Sequence, residues 1–143
     1  MCPAVTWAER ASTRFDEAGF RTGAARRQVI ELLGGERCAV TALEIDQRLP
    51  SVGRATVYRT LEQLEQLDLV HRVDVGGDVV AFERNDPGGH HHHIVCVRCG
   101  RLSPFEDGRL ERAIHAVGDE AEFEIVSHDV LLRGVCPACQ GKG

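Results

Sequence analysis

The sequence predicts an α+β fold in two parts, and three observations carry that prediction. Apolar residues recur at helical spacing through about residue 67, and two short apolar runs joined by Gly76-Gly77 follow. Beyond a breaker cluster, Asn85-Asp-Pro-Gly-Gly89, the pattern turns to short β runs carrying two Cys-x-x-Cys pairs. The parts are expected at 1–84 and 90–143, with 85–89 as a hinge.

A first helix is expected over Thr6–Ala18, closed by Gly19. A second is expected over Ala24–Leu33, with Ala25, Val29 and Leu32/Leu33 on one face and Gly34-Gly35 as its stop. Thr41 is placed to cap a short third helix with Ala42, Ile45 and Leu49 inward, ended by Pro50. After the turn Ser51-Val52-Gly53, a fourth helix is expected near Arg54–Leu67, with Val57, Leu61 and Leu64 in one stripe. Leu69–Val75 and Val79–Glu83 read as two strands on a tight Gly-Gly hairpin. Helix, short helix, turn, helix and hairpin is the order of a winged helix-turn-helix. In the second part, Ile94–Val97 and Arg101–Phe105 read as strands around a Cys turn. Asp107–Val117 reads as a helix with Leu110, Ile114 and Val117 in line, and Phe123–Val135 as one or two strands.

The 143 residues are 43% hydrophobic and 27% charged, which fits a folded chain rather than a disordered one. No apolar run approaches the roughly 20 residues that cross a bilayer. The start, MCPAVTWAER, lacks the basic and apolar regions of a signal peptide. A cytoplasmic chain with no membrane role is expected, and there its six Cys point to metal or redox chemistry rather than structural disulfides.

A net charge of −5 argues mildly against nucleic acid, but the distribution is uneven. Residues 10–59 carry nine Arg against six acids, whereas residues 60–84 carry two Arg against six acids. With Val57, Leu61 and Leu64 facing inward, Arg54, Ala55, Thr56, Tyr58 and Arg59 fall near the N-terminal half of the fourth helix. A recognition helix presents its reading side chains there. Arg59 suits a guanine or a phosphate, Tyr58 a phosphate or a thymine methyl, and Arg26 and Arg27 the flanking backbone. A solvated helix face would look the same from these residues alone.

Cys96-Val-Arg-Cys99 and Cys136-Pro-Ala-Cys139 each bring two thiolates to one turn, helped by Gly100 and Pro137. Together they compose a tetrahedral four-thiolate site for Zn2+ with no open position, hence structural. Such a site staples a small domain. Next to it runs His90-His-His-His93. In extended chain, His91 and His93 share one face, and His90 and His92 the other. One tetrapeptide can thus serve two metal sites, with Cys38, His71, Glu83, Glu111 and His128 as further ligand candidates. A zinc hydrolase would need an open coordination position and a general base. No His-Glu-x-x-His motif is present, so no catalytic residue is assigned and no enzyme is expected.

Taken in order, Gly53-Arg-Ala-Thr-Val-Tyr-Arg-Thr-Leu61, a Gly-Gly hairpin ending in Phe82-Glu83, the His run into Cys-x-x-Cys-Gly100, and a late Cys-x-x-Cys resemble the ferric uptake regulator family. The resemblance spans nearly the whole chain. It implies a homodimeric, metal-loaded repressor of metal-uptake genes acting on AT-rich inverted repeats of double-stranded DNA. It implies a structural zinc on Cys96, Cys99, Cys136 and Cys139 in a small α/β dimerisation domain. It also implies a sensory metal at the hinge on Glu83, His91 and His93, and a further regulatory site on His90, His92, Glu111 and His128. This chain departs from iron and peroxide sensors. Ala39 stands where many of them place a His, with Cys38 one residue earlier, and Pro104 stands where peroxide sensors use an Asp. His71 falls where some zinc sensors carry an Asp. A hinge set of thiolate, imidazole and carboxylate favours Zn2+ over Fe2+ or Mn2+. A zinc sensor is therefore expected, with iron, manganese, nickel or peroxide as the alternative inducers, and Cys38 or His71 as the completing ligand.

Overall fold

The computed structural model describes residues 4–21, 23–85 and 91–141; Cys2, the hinge positions 86–89 and His90 lie outside the described residues. The chain divides into two units, Met1–Gly89 and His90–Gly143.

The first unit runs α1 (Trp7–Glu17), α2 (Ala24–Gly35), β1 (Val40–Thr41), α3 (Ala42–Arg48), α4 (Arg54–Gln66), β2 (Val70–Asp74) and β3 (Val80–Arg84). Thr6 and Glu9 close a capping box on α1, and Thr41 and Glu44 close another on α3. The apolar stripes of these helices meet in one core around Phe15, Ile30, Ile45, Val57, Leu61 and Leu64. Trp7 joins it and donates its indole N–H to the Leu69 carbonyl at 3.1 Å. The sheet order is β1-β3-β2, with His71 opposite Glu83 in the antiparallel ladder.

Two expectations change here. Gly34-Gly35 does not stop α2, which continues through Gly35. Gly34 instead gives α1 room, since a Cβ there would lie 3.2 Å from that of Ala8. The wing turn is also longer than a tight Gly-Gly hairpin: strand pairing ends at Asp74 and Val80. Asp74 accepts the Gly76 N–H at 2.9 Å, and Gly76 and Gly77 take left-handed φ values of 94° and 66°.

The second unit contains β4 (His92–Cys96), β5 (Leu102–Phe105), α5 (Gly108–Ala121) and β6 (Leu131–Gly134). The order is β5-β4-β6, with β4 antiparallel to β5 and parallel to β6. The helix α5 lies in the crossover that parallel pairing requires. Asp107 caps it by accepting from the Arg109 and Leu110 N–H groups. The Arg109 guanidinium and backbone N–H together hold the Asp107 carboxyl well below the usual carboxylate range.

The structure revises the strands and helix of this unit. β4 starts at His92, so the His run enters the strand. α5 extends past Val117 to Ala121, and of the apolar run 123–135 only Leu131–Gly134 forms a strand. Gly118 explains both changes. The Phe123 N–H bonds to the Gly118 carbonyl at 2.8 Å, and Ile125 packs onto the position that a Cβ would occupy. The chain therefore folds back over the helix before it pairs.

Gly118→Ala would place a Cβ 2.5 Å from Ile125 Cγ1 and 3.0 Å from the Phe123 carbonyl oxygen. Overpacking of this kind costs about 1–3 kcal/mol. Denaturant unfolding of the variant should show that loss, whereas Gly35→Ala, in open space, should not.

Candidate metal centres and nucleic-acid helix

The Cys-x-x-Cys pairs meet because β4 and β6 run parallel and end side by side, with Cys96 opposite Gly134. Beyond β4, the Gly100 N–H returns to the Cys96 carbonyl at 2.9 Å, and Gly100 is left-handed at φ 76°. Beyond β6, the Cys139 N–H returns to the Cys136 carbonyl at 2.9 Å. Arg98 ties the turns together by donating to the Cys139 carbonyl at 2.9 Å. The four sulfurs lie within 4.8 Å of one another, with Cys99 and Cys136 at 3.7 Å. Thiolates about 2.3 Å from one tetrahedral zinc stand about 3.8 Å apart, so the donor set fits that ion.

The electrostatics agree. The Cys136 N–H, 3.3 Å from Cys96 Sγ, and the Cys99 N–H lower the Cys96 thiol to about 6. Cys139, hydrogen-bonded to Cys136 and then Cys99, is pushed up to about 12. Four sulfurs this close cannot all ionise without a cation among them.

A second cluster lies between β4, α5 and the segment before β6. His92, only 2% exposed, sets Nε2 2.5 Å from Glu111 Oε1, and His128 Nε2 lies 2.8 Å from Glu111 Oε2. The His92 and His128 rings are 5.2 Å apart at their centroids. The three donor groups fall within the spread that one ion requires. His115, one turn along α5 and exposed, has its ring 6.5 Å from that of His128. His90 lies outside the described residues.

The residues assigned to the hinge metal are divided between the units. His91 and His93 belong to the second unit, their rings 4.9 Å apart. Glu83 on β3 and His71 on β2 are cross-strand partners in the first unit, with Nε2 3.4 Å from Glu83 Oε2. Cys38 is half-buried, two residues before β1. Sequence reasoning missed Asn85, treated only as a breaker, whose amide oxygen meets His71 Nδ1. Its position just beyond Glu83 at the end of the hairpin was the one available clue.

On α4, Val57, Leu61 and Leu64 are fully buried, and Arg54, Tyr58 and Arg59 are exposed, Tyr58 by 47%. Thr56 is half-buried and its carbonyl accepts from the Thr60 hydroxyl at 2.7 Å. Arg54 pairs with Asp46 of α3 at 3.1 Å, which holds α3 and α4 together at the turn. Arg27 is exposed on α2, while the half-buried Arg26 donates to the Arg21 carbonyl at 2.6 Å.

The Cys139 proton must leave when a metal binds, so zinc affinity of the four-cysteine cluster should rise with pH between 7 and 9. Chelator competition across that range checks this, and a pH-independent affinity would contradict it.

The ferric uptake regulator family model matches residues 17–133. The ferric uptake regulation protein of Legionella pneumophila is 34% identical over 134 residues, covering 90% of this chain and 98% of that protein. The crystal structure of the Vibrio cholerae ferric uptake regulator superposes with a TM-score of 0.77 at 28% identity, covering 87% of this chain and 98% of that one. The Pseudomonas aeruginosa ferric uptake regulator, solved with manganese, gives a TM-score of 0.67 at 29% identity, covering 89% and 98%. This chain belongs to the ferric uptake regulator family.

Proposed function

We propose that the protein is a zinc-sensing transcriptional repressor of metal-uptake genes. It acts as a cytoplasmic homodimer on AT-rich inverted repeats and is not an enzyme. The observation that carries the reading is the pairing of a sulfur-only cluster with separate imidazole–carboxylate donors in one family member. Sulfur suits a permanent zinc staple, and imidazole with carboxylate suits an exchangeable ion. The Vibrio cholerae relative is described with DNA-binding domains, and the Pseudomonas aeruginosa relative with manganese. No described helix is long and apolar enough to cross a membrane.

The zinc on Cys96, Cys99, Cys136 and Cys139 is structural in this reading. The sensory metal draws on Glu83, with Cys38 or His71, from one unit and on His91 and His93 from the other. His92, Glu111 and His128, with His90, form the further regulatory site. Tyr58 and Arg59 read base edges, Arg54 and Thr56 flank them, and Arg26 and Arg27 hold the backbone. Exposed Val117, Phe123 and Val126 supply apolar surface for the dimer. Metal that binds the DNA-competent arrangement better than the alternative shifts the population toward it, and DNA tightens metal binding by the same factor.

Fluorescence anisotropy on the gene's own upstream DNA, with zinc, iron(II) and manganese buffered separately, tests the reading. Zinc should switch binding on at the lowest free concentration. Iron(II) or manganese acting at its cellular level, with zinc adding nothing, would assign the other inducer instead. Couplings of about 1–3 kcal/mol correspond to roughly 5–150-fold tighter DNA binding with metal. Glu83→Ala should abolish that gain and leave a folded dimer. Arg59→Ala should weaken DNA binding with and without metal, and unchanged binding would remove the DNA role of α4.

A further inference from the structure

The base of the wing holds a directed chain of polar groups within the first unit. The Asn85 N–H donates to the Leu69 carbonyl at 2.8 Å, and Asn85 Nδ2 donates to the Asp68 carbonyl at 2.9 Å. Those bonds fix the amide, so its oxygen is the atom turned to His71, 2.5 Å from Nδ1. A carbonyl oxygen only accepts, so Nδ1 carries the ring proton. The other ring nitrogen, Nε2, faces Glu83 Oε2 at 3.4 Å. In a neutral ring protonated at Nδ1, Nε2 presents its lone pair there. Two ligand atoms about 2.0–2.1 Å from a tetrahedral zinc stand about 3.4 Å apart, which is the observed separation.

We infer that Asn85 is a positioning residue: it fixes the His71 tautomer so that His71 Nε2 and Glu83 form a preset ligand pair for a divalent cation. The inference rests on the regulatory reading of Glu83. It assigns Asn85 the part usually played by the group behind a metal-bound imidazole, which sets ring orientation and basicity.

The test uses the full chain with its four-cysteine zinc in place and the regulatory metal removed. Long-range 1H–15N NMR of histidine-labelled protein reads the His71 tautomer, and chelator competition reads regulatory zinc affinity. Wild type should show His71 protonated at Nδ1 only, with the Nε2 resonance moving when zinc is added. Asn85→Ala should give mixed tautomers and a loss of about 10–100-fold in affinity. His71→Ala leaves the Asn85 bonds to Asp68 and Leu69 in place, so it separates ligand loss from a loosened wing. It should cost at least as much. A wild-type His71 protonated at Nε2 would overturn the inference. So would wild-type affinity in Asn85→Ala or in His71→Ala. If His71 and Asn85 govern zinc affinity but zinc leaves DNA binding unchanged, the inference stands and the regulatory reading falls.

Discussion

β4 is hydrogen-bonded along both edges, antiparallel to β5 and parallel to β6. It cannot turn over without breaking both ladders, and a slip of one residue would exchange its faces. That lock determines where each donor points. His92 is held against Glu111 of α5, beside Phe105 and His128. Cys96 is delivered to the end of the strand beside β6, where Cys136 follows. The parallel pairing also requires the crossover that carries Glu111 and His128 to the same strand. Two of the three proposed metal sites therefore depend on one strand register.

The two units hold themselves together differently. The first has a continuous apolar core drawn from every helix. In the second, Val95 and Cys96 are the buried hydrophobic residues among those described. So small a core contributes little, and a metal staple and a partner surface are the usual compensation. The electrostatics point the same way. Backbone N–H groups of Cys136 and Cys99 lower the Cys96 thiol, while the neighbouring sulfurs of Cys136 and Cys99 push that of Cys139 up. The His92–Glu111–His128 chain places two imidazoles on one carboxylate. A cation relieves the first arrangement and can substitute for protons in the second.

The legible parts of the sequence were those with a period or a repeated spacing. Val57, Leu61 and Leu64 announced α4 and left Tyr58 and Arg59 outside, and the α+β class followed from the switch to short β runs. The paired Cys spacing gave a cluster without any need for topology. What escaped was set by tertiary contact. β1 is two residues long and exists through its pairing with β3. Gly34 and Gly118 have the composition of helix ends, but each stays in its helix, where a neighbour approaches closely. The run 123–135 has strand composition, yet it first turns back at Gly118, where Ile125 packs on α5, and pairs only from Leu131. Asn85 had no pattern to distinguish it, because its role depends on the His71–Glu83 register.

The central claim is that alternation along one strand divides the donors among separate metal ions. Crystals of zinc-loaded protein, measured on both sides of the zinc absorption edge, test it directly. One anomalous peak is expected bounded by Cys96, Cys99, Cys136 and Cys139, a second bounded by His92, Glu111 and His128, and a third touching His91 and His93. A single peak ligated by His91, His92 and His93 together, or a four-cysteine cluster without zinc, would contradict it.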